Sequence, residues 1–213
     1  MRSLATDHFV YKKNHQKPAS FINLIRTGLS DRDWQQLHPD IKNRLRLPAH
    51  TNTLRYIGVM QRIYCSPIGK LFARILRPLT LLPEQCRTNT QFDFLIKQQN
   101  NGILKQRRYF LDSCRPFTFR SIFRHLPILH EEFKAGFGMN LELSSDREGL
   151  IFRDAGYYIR LGKLRIPIPR WLSVGQFELI HRNINPKRFQ VLIRIGHPLF
   201  GTLFYQRGEF QKF

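Results

Sequence analysis

The chain has 213 residues, 42% hydrophobic and 13% aromatic, with 35 Lys or Arg against 15 Asp or Glu and a net charge of +20. This composition excludes a collagen-like chain, a disulfide-rich miniprotein and a chain disordered throughout. The length suffices to bury a core without a disulfide or metal staple. The cysteines Cys65, Cys86 and Cys114 are odd in number and widely spaced. They are expected as reduced thiols, with no structural zinc. The first residues include Asp7 and lack the apolar run of a signal peptide. No 18-residue apolar window occurs, so no spanning helix is expected. The expected address is cytoplasmic.

In chain order, residues 1–20 are polar and basic and read as a loose arm, ahead of a single α+β domain over 21–213. Residues 21–47 read as helical. Ser30 is a plausible N-cap, with Asp31 and Asp33 where carboxylates suit the positive helix end. Leu37, Ile41 and Leu45 form an i+4 apolar stripe. Residues 54–64 are rich in β-formers, and Gly58 marks a bulge or a close backbone approach. Ser66-Pro67 opens a helix running to about residue 79.

From residue 90 the texture changes. Short β-forming runs cover 91–97, 103–111, 115–124, 137–143, 149–153, 156–161, 175–183, 188–195 and 199–207, parted by turn signals such as Asn100-Asn-Gly102 and Ala155-Gly156. Pro167 and Pro169 lack ladder donors, which fits a sheet edge or an exit to a loop. The expected architecture is α+β: N-terminal helices, then a large curved antiparallel sheet. A sheet of this many strands curls, towards a barrel or half-barrel.

Phosphate-loop, dinucleotide, serine-elbow and zinc-protease motifs are missing, and neither cofactor nor metal is expected. His125 and His130 flank Pro127 and make a poor metal pair. Arg115-Pro-Phe-Thr-Phe-Arg120 and Phe123-Arg124 interleave aromatics with arginine. That pattern can stack bases and hold phosphates. It also describes an ordinary strand with Phe facing the core and Arg facing water.

Several short motifs recur in order: Leu37-His-Pro39, Gly58-Val-Met60, Glu132-Phe133, Ile166-Pro-Ile-Pro-Arg-Trp-Leu172, His197-Pro-Leu-Phe-Gly201 and Tyr205-Gln-Arg-Gly-Glu-Phe210. Over about residues 34–211 the set resembles the bacterial domain-of-unknown-function family 4166. The resemblance implies a domain that stands alone or partners NAD(P)-binding oxidoreductase domains of the saccharopine dehydrogenase or short-chain type. One departure is Gln106, where the family usually has tryptophan. The fold explains Arg108, Glu132, Glu178, His197 and Tyr205 least, and Trp171 reads as a cap on the core or a cavity mouth. These six are the candidate ligand-binding residues, with Arg108 pairing an anionic or carbonyl group.

The leading functional expectation is a non-enzymatic module that holds a small apolar or acyl ligand inside the curved sheet. The alternatives are an accessory domain for an NAD(P)-dependent oxidoreductase, and charge-driven binding to nucleic acid or an anionic membrane surface.

Overall fold

Where a single helical stretch is expected, three short helices stand, because each restart has its own cap. The computed structural model describes residues 20–48, 50–79, 83–100, 102–111, 115–125 and 128–213. The basic arm, apart from Ser20, and Cys114 lie outside these. Helix α1 is Phe21–Gly28, capped by Ser20, whose hydroxyl accepts from the Asn23 amide. Helix α2, Asp31–Gln36, begins at Ser30 as expected, with the Asp33 amide donating to the serine hydroxyl at 3.0 Å. Helix α3, Pro39–Arg44, starts at His38, whose Nδ1 accepts from the Asp40 amide. The apolar stripe survives the breaks, since Leu37, Ile41 and Leu45 are all buried. Helix α4 is Pro67–Ile75, capped by Ser66.

Among the described residues there are eleven antiparallel strands, β1 ahead of α4 and the rest after it: β1 Thr53–Cys65, β2 Arg87–Gln99, β3 Gly102–Tyr109, β4 Phe117–His125, β5 Leu129–Glu132, β6 Phe137–Ser145, β7 Gly149–Leu161, β8 Leu164–Ile168, β9 Gln176–Asn183, β10 Arg188–His197 and β11 Gly201–Lys212. Their order is β6-β5-β4-β3-β2-β1-β11-β10-β9-β7, and β7 pairs back onto β6. Ten strands therefore close into a barrel, which removes the free edges of so large a sheet. Among the described residues strand β8 pairs only with β7, so Pro167 sits on an edge as its missing donor requires.

The break expected at Ala155-Gly156 lies within one continuous strand. Residues 149–153 of β7 pair with β9, and residues 157–161 pair with β8. Gly156, at φ 104°, supplies the bend between them.

The pleat sends Tyr56, Phe94, Arg107 and Phe119 inward as cross-strand neighbours on β1–β4. Outward positions carry charges, as in the Arg55–Asp93–Arg108 cluster and the Arg153–Glu178 pair. Apolar-in, charged-out alternation is the reverse of a membrane-spanning barrel. No helix among the described residues is long and apolar enough to cross a membrane.

Helices α1–α3 cover one end of the barrel: Phe21 and Leu45 line the lumen there, and Gln36 donates to the Ser145 carbonyl. Helix α4 covers the other end, where its Gly69 lies against the Leu203 carbonyl.

Gly58 is the close approach that the sequence suggests. A Cβ there would sit 2.1 Å from the Glu209 carbonyl oxygen on β11. Gly58→Ala is expected to cost about 2 kcal/mol or more, because backbone must move to relieve the clash. Urea unfolding of the variant, read by near-UV circular dichroism, measures this.

Candidate functional site

Eight strands make a barrel just wide enough for side chains to fill, and diameter grows with strand number. Ten strands leave more space, and large rings do not fill it completely. Two adjoining cavities remain along the barrel axis, each of about 80 Å³. The upper, towards α1 and α3, is lined by rings such as Phe92, Phe94, Phe189 and Phe210. The lower, towards α4, is lined by Phe119, Phe137, Tyr157, Phe204 and Leu76. Arg107, Glu131 and Gln206 line both, as do Phe177, Leu179 and Ile193, so the two lobes meet at a waist that is polar on part of its wall.

The waist is built on β3, β4 and β5. Alternation on β3 sends Ile103, Lys105, Arg107 and Tyr109 to the inner face. Glu131 sits at the centre: Lys105 Nζ donates to Oε2 at 2.5 Å, and Arg107 to Oε1 at 3.0 Å. The Ser121 hydroxyl also donates to Oε1. The Arg107 guanidinium lies 5.2 Å from the ring centre of Phe94 and 4.9 Å from that of Phe119, which holds its plane between aromatic faces. Tyr109 donates to Gln206 Oε1 at 3.1 Å.

Charges so deep inside must pair or neutralise. Burial pushes the Glu131 carboxyl up, but Lys105 and Arg107 outweigh it and hold it down at about 2. Burial, with Arg107 beside it, brings Lys105 down to about 8 despite Glu131. One anion thus serves two cations, and the waist carries surplus positive charge. Burial also raises the Tyr109 hydroxyl, which stays protonated.

A second polar feature lines the upper lobe. The His181 ring stacks on Phe189 at 4.3 Å. Burial first, then nearby Arg44, lowers its pKa to about 3, so the ring is neutral. Its Nε2 is buried with no hydrogen-bond partner among the described residues.

The six residues singled out from sequence lie elsewhere: none lines either lobe. Arg108 is on the outer face, sharing Asp93 with Arg55. Glu132 is buried outside the barrel wall, paired with Arg124 and Arg160. Tyr205 points outward on β11 between Tyr64 and Arg194. Trp171 is 73% exposed and lines neither lobe. Only Glu178 and His197 come together, on an external cleft of about 500 Å³. His197 is fixed structurally there, its ring stacked between Phe72 and Phe200.

Lys105, Arg107, Glu131, His181 and Gln206 are the lumen's polar residues that sequence reasoning passed over. A signal existed for three of them. Ile103-x-Lys105-x-Arg107-x-Tyr109 puts two cations on a face begun and ended by buried residues, and Phe177-x-Leu179-x-His181 puts an imidazole on the apolar face of β9. Among the described residues no cluster of three or more His, Cys, Asp or Glu could hold a metal ion.

A family model described as "Domain of unknown function (DUF4166)" matches residues 37–210. The chain belongs to the DUF4166 family. One relative within reach of this DUF4166 chain is the "Uncharacterized protein YndH" of Bacillus subtilis (strain 168). It is 24% identical over 213 residues, covering 84% of this chain and 93% of the relative. The matched segment of the DUF4166 chain runs from Leu37 through the last barrel strand to Phe210, so it takes in every strand of the closed barrel.

Proposed function

We propose that this DUF4166 domain is a binding module that holds one small apolar or short-acyl ligand in the barrel lumen, its anionic or carbonyl head at the Arg107 waist. The observation that carries this reading is the waist itself: two apolar lobes meeting at buried cations that outnumber their anion. The lobes together are comparable to an engineered apolar cavity of about 150 Å³ that stays dry and takes up benzene. One ring fits a single lobe, and a chain of about eight carbons takes up both lobes. Longer chains need the lining phenylalanines to turn. A carboxylate at the waist gains a charge-assisted hydrogen bond and offsets the surplus charge. His181 Nε2 offers a second polar contact to a ligand reaching the upper lobe.

The test is calorimetric titration of solvent-stripped protein with octanoate and with octanol. One site per chain is expected, with octanoate bound about tenfold more tightly, the difference between a charged and a neutral hydrogen-bond partner. Val191→Trp, which fills the upper lobe, should abolish uptake while the near-UV spectrum stays folded. No heat with either compound, or equal uptake by Val191→Trp, would contradict the reading.

A further inference from the structure

The barrel end opposite helices α1–α3 exposes an apolar rim. Beyond that rim the β7–β8 hairpin carries the inner face of the sheet out into solvent. Tyr157 is inside the barrel; Ile159 and Leu161, next on the same face, and their cross-strand partners Ile166 and Leu164, are between 41% and 63% exposed. The turn that follows adds Trp171, and the β10–β11 turn adds Leu199, 78% exposed. Helix α4 presents Leu71 and Ile75 at the same end. These pieces form one rim. His197 stacks on Phe72 of α4 and on Phe200 of the turn, and Gly175 after Trp171 packs on the Gly196 backbone. Contiguous apolar surface flanked by charge marks an interaction site.

The charge at this end has one prevailing sign. Lys70, Arg74, Arg77, Lys163 and Arg170 flank the apolar tips, with Glu84 paired to Arg74. Beside Trp171 lies the external cleft, with Arg153, Arg170 and Arg194 in its wall against Asp154 and Glu178, the latter paired with Arg153. Arg170 and Arg194 have no acid partner among the described residues. Asp31, Asp33, Asp40, Asp146 and Glu148 all sit at the opposite, helix-covered end.

We infer that this end docks on the anionic surface of a lipid bilayer, with the apolar tips in the headgroup layer and the arginine cleft on lipid phosphate. Charge complementarity selects an anionic partner, and the apolar tips select lipid. A nucleic-acid backbone would engage the arginines and leave Leu161, Leu164 and Trp171 in water. The lower lobe, lined by Leu76 and Val174, adjoins this end, so docking sets the lumen against the acyl layer. The inference holds whether or not the lumen is occupied.

The test is co-sedimentation with phosphatidylcholine vesicles with and without phosphatidylglycerol, at low and moderate salt. Sedimentation only with phosphatidylglycerol, weakened by salt, is expected. In a Trp34→Phe background the Trp171 emission should shift to the blue on binding. Leu161→Asp/Leu164→Asp/Trp171→Glu, all at exposed positions, should lower partitioning about tenfold or more with an unchanged melting midpoint. The inference is overturned if no vesicle binds at low salt, or if the triple variant binds as wild type does. It is also overturned if duplex DNA displaces the vesicles with Trp171 emission unshifted throughout.

Discussion

Glu131→Gln is expected to destabilise the barrel by about 3–5 kcal/mol, the cost of leaving buried charge without its partner. The carboxylate is the common acceptor for Lys105, Arg107 and Ser121. The amide keeps the shape and removes the charge, so two cations face each other in an apolar lumen. Replacing the whole cluster should behave differently. In Lys105→Met/Arg107→Met/Glu131→Met no buried charge is left uncompensated, and stability should stay near wild type or rise by about 1–4 kcal/mol. Urea denaturation of the two variants measures the contrast. If the single and triple variants fall equally, the cluster is not a closed ionic unit. The triple variant also separates fold from function, because it keeps the barrel and should lose the preference for octanoate over octanol.

The second large effect is acid lability set by His181. In the unfolded chain its imidazole titrates near 6.5, and in the barrel near 3. The folded value is depressed, so the unfolded state binds the extra proton between these limits. Stability is then fully present above pH 6.5 and falls by about 1.4 kcal/mol per pH unit below it. Glu131 has the same sign but a lower window: its contribution is lost as pH falls from about 4.5 towards 2. Between pH 6.5 and 4.5 the slope therefore belongs to His181, with a share from His130, whose pKa burial also lowers, rather than to Glu131. His181→Phe keeps the stack on Phe189 and removes the unpartnered nitrogen. Its unfolding free energy should be close to wild type at pH 7 and should fall less steeply than wild type from pH 6.5 to 4.5, the remaining slope coming from His130. Parallel pH profiles for the two proteins would show that His181 does not set the acid limit.

Most of the barrel is legible in the sequence because its strands alternate between an apolar interior and a charged exterior. Phe189-x-Val191-x-Ile193-x-Ile195 faces inward on β10, and Phe119 on β4 lines the lower lobe while Arg120 points out to Gln106. Strand β5 is not legible, for a physical reason. Leu129-His-Glu-Glu132 has no apolar alternation, yet all four residues are buried. Glu131 faces inward to its cations. His130 and Glu132 face outward but lie under the β7–β8 hairpin, against Arg165 and Arg160. The His130 ring is locked as well, with Nδ1 donating to the Ile128 carbonyl and Nε2 accepting from Arg165. A charged strand buried on both faces looks like a loop when read alone.

The candidate site was harder to read than the fold. Motif residues drew attention to Arg108 and Glu132, whereas their chain neighbours Arg107 and Glu131 occupy the lumen. In a strand, one position decides between the inside and the outside of the barrel. The motif residues instead serve the rim and the wall. His197 pins α4 to the β10–β11 turn, Gly201 takes φ 66° to start β11, and Glu132 fastens Arg160 of the hairpin.

Native mass spectrometry of the purified full chain, released under gentle activation, tests the central claim most directly. The account predicts a population carrying one small organic adduct per chain, lost in Val191→Trp and regained by the emptied wild type on incubation with octanoate. A bare polypeptide mass throughout, unchanged after incubation with octanoate or octanol, would contradict it.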